Sequence, residues 1–155
     1  MDDAEAIARI YQHYISKTYI TFEEEPVSAE DMRVRMAEVF AGGYPWLVCE
    51  ESVGLVGYAY GGKWKDRAAY RFCAESTVYL TPEQIGRGFG GALYRSLLEQ
   101  LRALGLHAAI GCIALPNEPS VALHEKVGFR KVAHFIEAGF KFGQWIDVGY
   151  WQLLL

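Results

Sequence analysis

The stretch Gly86-Arg87-Gly88-Phe89-Gly90-Gly91 places four glycines in six positions, immediately before a leucine-rich segment. Leu93, Leu97, Leu101 and Leu104 recur as one stripe, reinforced by Tyr94 and Leu98, and Gly105 ends the pattern. That spacing is helical. Upstream, residues 70–80 alternate: Tyr70, Phe72, Ala74, Ser76, Val78 and Leu80 share one face, while Arg71, Cys73, Glu75, Thr77 and Tyr79 share the other. Such alternation describes a strand, and Thr81-Pro82 stops it. The chain must therefore pass from strand to helix through a turn with almost no side chains. Such a turn lets backbone N–H groups approach a ligand, and the helix N-terminus adds positive partial charge. Its natural ligand is a phosphate or pyrophosphate.

The rest of the chain frames this turn. Asp2 or Asp3 can cap a first helix carrying Ile7, Ile10, Tyr11 and Tyr14 at helical spacing. Ser28 and Asp31 form a variant capping box for a second helix, with Met32, Met36, Val39 and Phe40 on its apolar face and Gly42-Gly43 ending it. Trp46–Cys49 and Leu55–Tyr60 read as a hairpin around the turn Glu51-Ser52-Val53-Gly54. Ala108–Leu115 reads as a buried strand, Pro116-Asn117-Glu118-Pro119 as a turn, Ser120–Val127 as a short helix stopped by Gly128, and Val132–Ile136 and Val148–Leu153 as closing strands. The predicted order is ααββββαβαββ. It describes an α/β chain with a mixed sheet flanked by helices, not a regular doubly wound sheet.

A length of 155 residues without repeats or linkers predicts one domain, residues 1–155. No apolar run approaches the ~20 residues needed to span a bilayer, so no membrane partner is expected. The acidic start Met1-Asp2-Asp3-Ala4-Glu5 does not resemble a targeting segment. Cys49, Cys73 and Cys112 are odd in number and lie in apolar segments, which predicts buried free thiols and a cytoplasmic setting. A net charge of −4 and a pI near 5.6 argue against nucleic acid. Lys63, Lys65, Arg67 and Arg71 nevertheless cluster within nine residues, as a solvated edge or as a receiver for an anionic small molecule.

Three phosphate ligands compete for the glycine turn. A P-loop needs Lys followed by Ser or Thr after its last glycine, and here Ala92 and Leu93 follow. Gly86, Gly88 and Gly91 match a dinucleotide fingerprint, but no carboxylate stands about 20 residues on, where Gly111-Cys112-Ile113 lies. The preceding strand is also polar on one face, whereas strands of dinucleotide-binding sheets are buried on both. Coenzyme A pyrophosphate is the third candidate.

For that candidate, Glu75–Leu80, the turn Gly86–Gly91 and the leucine helix together resemble the acetyl-CoA motif of the GNAT superfamily of N-acetyltransferases. Asn117–Phe129 resembles its second cofactor motif. The resemblance narrows to phosphinothricin N-acetyltransferases through Tyr44–Val48, Trp64–Tyr70, Ala74–Tyr79, Gly139–Gly143 and Trp145–Trp151, and covers about Ile7 to Leu153. It implies the GNAT acyl-CoA N-acyltransferase fold, with a central, mostly antiparallel sheet flanked by helices. It also implies acetyl-CoA as cosubstrate, no metal, a homodimer whose partner helps wall the substrate pocket, and a small amino acid acceptor such as phosphinothricin, methionine sulfoximine or methionine sulfone. Two departures stand out. Ile85 occupies the position where the superfamily usually has Gln or Arg, with Gln84 one residue earlier. Relatives begin with a short strand before the first helix, whereas this chain begins at the helix, so the first strand is expected to be missing.

Amide formation from an amine and a thioester needs a neutral amine, a polarised carbonyl and a departing thiolate. Glu75 is the candidate base, a carboxylate on a mostly apolar strand; a salt bridge with Arg71 is its alternative role. The resemblance places His124 where many GNAT enzymes have a tyrosine that protonates the thiolate, and an imidazole can act as acid or base. Glu75 and His124 are thus expected to act as an acid–base pair, with direct transfer rather than a cysteine acyl-enzyme. By the same resemblance Val78, Tyr79 and Leu80 offer backbone groups to the pantetheine arm, while Gly86, Arg87, Gly88, Phe89, Gly90 and Gly91 hold the pyrophosphate. Asn117 either hydrogen-bonds the pantetheine or is an ordinary turn residue. Lys65, Arg67, Tyr70 and Phe22 match positions near the acceptor. Two alternatives stay open: an acetyltransferase for a peptide N-terminus or polyamine, and a non-catalytic acyl-CoA-binding module.

Overall fold

The computed structural model describes residues 3–52 and 54–155. In chain order these form α1 (Ala4–Lys17), α2 (Ala29–Ala41), β1 (Trp46–Glu51), β2 (Gly54–Lys63), β3 (Cys73–Leu80), α3 (Phe89–Ala103), β4 (Ala108–Leu115), α4 (Glu118–Lys126), β5 (Arg130–Lys141) and β6 (Gln144–Leu154). The strands make one sheet in the order β1-β2-β3-β4-β6-β5. Every pairing is antiparallel except β3 with β4. A parallel neighbour requires a crossover, and α3 supplies it. This is the mixed, mostly antiparallel sheet that the sequence predicts.

Local chemistry explains most helix boundaries. Ser28 Oγ accepts from the Asp31 N–H at 3.1 Å and the Ser28 N–H donates to Asp31 Oδ2 at 3.0 Å, closing the capping box of α2. At α1, Asp3 occupies the N-cap without a side-chain capping bond, and Asp2 lies outside the described residues. Gly105, with φ +76°, follows the last turn of α3. Leu93, Tyr94, Leu97, Leu98 and Leu101 are buried, each side chain contributing about 1.5–3 kcal/mol by leaving water. The stripe stops there, because Leu104 is the exposed C-cap. Phe40, expected on the apolar face of α2, is likewise exposed.

Several boundaries differ from the sequence expectation. Three strands, not four, separate α2 from α3. β3 starts at Cys73 rather than Tyr70, because Ala68–Tyr70 forms a 3-10 turn with Tyr70 set edge-on to Trp64. Glu118 and Pro119 belong to the first turn of α4, where a missing proline N–H has no cost. β5 and β6 run well beyond the short apolar segments that suggested them. The alternation of β5 is broken by a bulge between Phe135 and Gly139, with Glu137 at φ +51°. Of the predicted turn Glu51–Gly54, residue 53 lies outside the described residues, while Glu51 ends β1 and Gly54 begins β2. Among the described residues, no helix is long and apolar enough to cross a membrane.

The core has two layers. α1 and α2 pack on one sheet face with Tyr58 and Tyr79; α3 packs on the other with Ala59, Ala74 and Ile113. The face assignment for β3 holds. Ala74, Val78 and Leu80 lie toward α3, and Tyr79 lies toward α1.

Candidate active site

The parallel ladder between β3 and β4 covers only Cys73–Glu75 and Ala108–Ile110. Beyond it the two strands part. In an antiparallel ladder every second residue points both main-chain groups at its partner strand. The Thr81 N–H bonds the Val56 carbonyl at 2.9 Å, in register with β2 and β3. Tyr79, Thr77 and Glu75 therefore point their main-chain groups at β2, and Leu80 and Val78 point theirs toward β4. Likewise the Leu155 N–H bonds the His107 carbonyl at 2.9 Å, in register with β4 and β6, so Cys112 and Ala114 point toward β3. The Leu80 carbonyl accepts from the Tyr14 hydroxyl at 2.6 Å. Val78 is thus the β3 residue whose N–H and C=O both open into the gap. Of the three expected backbone contributors, Tyr79 is corrected: its main-chain groups belong to the ladder with β2.

The glycine turn lies at the end of this gap. Gly86 and Gly88 have φ of +84° and +92°, the left-handed region that other residues avoid. Gly90 has a different reason. A Cβ there would come within 3.2 Å of Leu123, so this glycine lets α3 approach α4. The first intrahelical bond of α3 is Ala92 N–H to the Gly88 carbonyl, at 3.1 Å. The N–H groups of Phe89, Gly90 and Gly91 precede it, and Gly88 supplies no side-chain cap. α2 and α4 carry side-chain caps, Ser28 and Asn117; α3, like α1, carries none. Arg87 donates to Gln84 Oε1 and lies over the Phe89 ring, so Gln84 meets the guanidinium and Ile85 is exposed.

A cavity of about 290 Å³ occupies the gap, lined by Phe22, Tyr60, Glu75, Val78, Cys112 and Asn117 among others. Glu75 makes no side-chain hydrogen bond or ion pair among the described residues. Burial raises its pKa above the usual carboxylate range, and the charge of Lys65 partly offsets this. The alternative role, a salt bridge with Arg71, is not formed. Arg71 lies 4.5 Å over Phe72 and donates to the Ala68 carbonyl at 3.1 Å. Phe22 packs on β5: a Cβ on Gly139 would overlap its ring at 2.2 Å. Asn117 caps α4 by accepting from the Ser120 N–H at 3.2 Å, leaving its amide donors free at the cavity wall. Lys65 and Arg67 are exposed on the β2–β3 connection, with Lys63 paired to Asp66 at 3.2 Å. The expectation of buried thiols is corrected: Cys49 and Cys73 are half-buried, and Cys112 departs furthest. It is exposed at the cavity, and desolvation holds its thiol above the usual range, the opposite of what a nucleophile needs.

His124 is not beside Glu75. It is 4% exposed on the α3 side of the sheet, whereas Glu75 projects from the other face of β3. Its ring packs against Tyr94 and Phe129, and Gly111 makes room for it, since a Cβ there would come within 2.3 Å of Nε2. The expected direct pair is therefore not assembled. Sequence reasoning missed Tyr94 and Ser76, which connect His124 to the cavity, and Gly111, which makes room for its ring. Tyr94 was legible only as a polar tip within a leucine stripe. It also missed Lys141, buried on β5 with Nζ donating to the Thr21 carbonyl at 2.8 Å.

These features fit a ligand with a pyrophosphate and an amide-bearing arm: an uncapped helix N-terminus, a glycine turn and an open Val78 backbone. The profile of the acetyltransferase (GNAT) domain family matches residues 1–149. The chain belongs to the GNAT acetyltransferase family. This GNAT acetyltransferase is similar to a phosphinothricin N-acetyltransferase of Streptomyces viridochromogenes, 39% identical over 150 residues, covering 97% of this chain and 81% of that protein. It is also similar to the L-methionine sulfoximine/L-methionine sulfone acetyltransferase of Salmonella typhimurium, 33% identical over 153 residues, covering 99% and 90%. A solved phosphinothricin acetyltransferase from Sinorhizobium meliloti, in complex with AcCoA, superposes with a TM-score of 0.96 at 35% identity, over 99% of this GNAT acetyltransferase and 84% of that chain.

Proposed function

We propose that residues 1–155 form one cytoplasmic N-acetyltransferase domain that moves the acetyl group of acetyl-CoA directly onto the amino group of a small amino acid or analogue. Phosphinothricin, methionine sulfoximine and methionine sulfone are the acceptor type. The observation that carries this reading is Glu75, a carboxylate without a hydrogen-bond or ion-pair partner among the described residues, in the cavity where β3 and β4 part. Acetyl-CoA supplies the activated acetyl group. The α3 N-terminus and the turn Gly86–Gly91 receive its pyrophosphate, and the Val78 C=O accepts from an amide of the arm while a backbone N–H of this strand donates to the thioester oxygen. Glu75 takes the proton of the acceptor ammonium, directly or through water, and its raised pKa suits that task. Lys65, Arg67 and Tyr70 receive the anionic end of the acceptor, and Phe22 walls its side chain. The working unit is a homodimer, supported by the apolar residues exposed along the edge strand β5.

The test is coenzyme A thiol release over an amino acid panel that includes phosphinothricin and methionine sulfoximine. Turnover is expected with at least one of them. Tight coenzyme A binding without turnover on any amine would replace the enzyme reading with a binding module.

A further inference from the structure

The shortest hydrogen bonds around His124 favour one set of proton positions when the ring is neutral, the Ser120 hydroxyl lying farther from Nδ1, at 3.5 Å, than the Ser120 carbonyl. Nδ1 lies 2.7 Å from the Ser120 carbonyl oxygen, which only accepts, so Nδ1 carries the hydrogen. Nε2 is then an acceptor, and the Tyr94 hydroxyl, at 2.9 Å, donates to it. The Tyr94 oxygen is left to accept from Ser76 Oγ at 2.6 Å. Ser76 Oγ also lies 3.3 Å from the Ile110 carbonyl, so its proton has two places to point. Tyr94, His124 and Ser76 are all buried, yet Ser76 lines the cavity. It directly follows Glu75, the last β3 residue in the parallel ladder, and so stands at the apex of the gap. These groups satisfy one another, as a purely structural network would, but this row has one end at the cavity.

We propose that Ser76, Tyr94 and His124 form a proton relay from the acceptor cavity to a buried imidazole, which holds the proton shed by the acceptor nitrogen during acetyl transfer. This rests on the acetyltransferase reading above. Glu75 removes the extra proton of the ammonium. As the nitrogen lone pair forms the new N–C bond and the C–S pair leaves with sulfur, nitrogen must lose a second proton and sulfur must gain one. Ser76 Oγ takes the nitrogen's proton while passing its own to the Tyr94 oxygen, and Tyr94 passes its proton to Nε2. The imidazolium keeps its Nδ1–H on the Ser120 carbonyl. The reverse sequence returns the proton to sulfur, so protons and charge balance. Burial lowers the His124 pKa, which keeps the resting ring neutral and makes the imidazolium a short-lived holder that returns its proton readily, while the Ser120 carbonyl partly offsets the shift. Among the described residues, Tyr94 is the titratable group facing the ring. β4 presents Gly111, Phe129 presents a ring, and on α4 itself Glu125 is turned to the Trp151 indole.

The experiment compares wild type with Tyr94→Phe, and with Ser76→Ala in case the first variant folds poorly. In ¹⁵N-histidine NMR of the ligand-free protein, His124 is expected as the Nδ1–H tautomer, with Tyr94→Phe shifting Nε2 selectively. In turnover, Tyr94→Phe is expected to lower kcat about tenfold or more, with KM for acetyl-CoA kept. The curved proton inventory of wild-type kcat in mixed light and heavy water should become linear in the variant, a change that lost packing alone would not produce. An Nε2–H tautomer, an unchanged inventory, or kcat within about twofold of wild type would overturn the relay. An active wild type with an insensitive Tyr94→Phe removes the relay and leaves acetyl transfer standing. A wild type that acetylates no amine removes both.

Discussion

Glu75 trades stability for reactivity, and both halves are measurable. Its folded pKa is raised, by desolvation first, above the 4.5 of an ordinary glutamate. The folded state therefore binds this proton more tightly than the unfolded chain does. The resulting stabilisation is complete below the unfolded pKa and is lost as pH rises through the folded value. At neutral pH an ionised Glu75 is a burden. Glu75→Gln keeps the volume and removes the charge, so the variant should melt at or above the wild-type temperature at pH 7, with the advantage fading below about pH 4.5. Its kcat should fall by about 100-fold or more. A lower melting temperature at pH 7 would mean that the carboxylate has a stabilising partner. Glu75 was legible in the sequence because a carboxylate on an apolar strand asks for a reason. The Ser76–Tyr94–His124 chain was not, because the residues lie 18 and 30 positions apart and meet only through the fold.

At the scale of elements, the sequence revealed the glycine turn but not its division of labour. Glycine spacing reports a need for small residues, not whether that need is dihedral or steric. Gly88 is held at φ +92° with open space around it, whereas Gly91 would place a Cβ only against the flexible end of Arg95, at 3.3 Å. Gly88→Ala should therefore cost about 1–2 kcal/mol in chemical denaturation and raise KM for acetyl-CoA. Gly91→Ala should cost less stability than that, and equal losses would contradict the dihedral argument. The segment between α1 and α2 depends on a similar nonlocal detail. Lys141 Nζ holds the Thr21 carbonyl, next to Phe22 at the acceptor cavity, and desolvation lowers the lysine pKa despite Glu24 and Glu23 nearby. Lys141→Met removes the tether while filling the space. It should raise KM for the amino acid by about threefold to tenfold, roughly the loss of one hydrogen bond, and leave KM for acetyl-CoA unchanged. An unchanged acceptor KM would make Lys141 a core residue only.

The whole molecule adds what no single element contains. Local signals located α2, α3 and the hairpin strands, because caps, stripes and turns are written in neighbouring residues. The order β1-β2-β3-β4-β6-β5 depends on pairings across the chain, and the packing of α4 beside α3 puts His124 on the sheet face opposite Glu75. The same order leaves β5 as an outer strand. Along β5 and the start of β6, Val132, Phe135, Ile136, Phe140, Phe142 and Trp145 are each more than half exposed. Exposed edge strands normally carry charge, a proline or a cover, and a monomer seldom displays so much apolar surface together. The most economical cover is a second copy of this chain. Sedimentation velocity at micromolar concentration should give a dimer. Ile136 is 79% exposed, so Ile136→Asp has little to disturb within the subunit. It should shift the species toward monomer while preserving the circular dichroism spectrum and coenzyme A binding. If the partner also walls the acceptor cavity, the same variant should raise KM for the amino acid. A wild type that sediments as a monomer would remove the dimer, and the burden of covering β5 would then fall on a different protein.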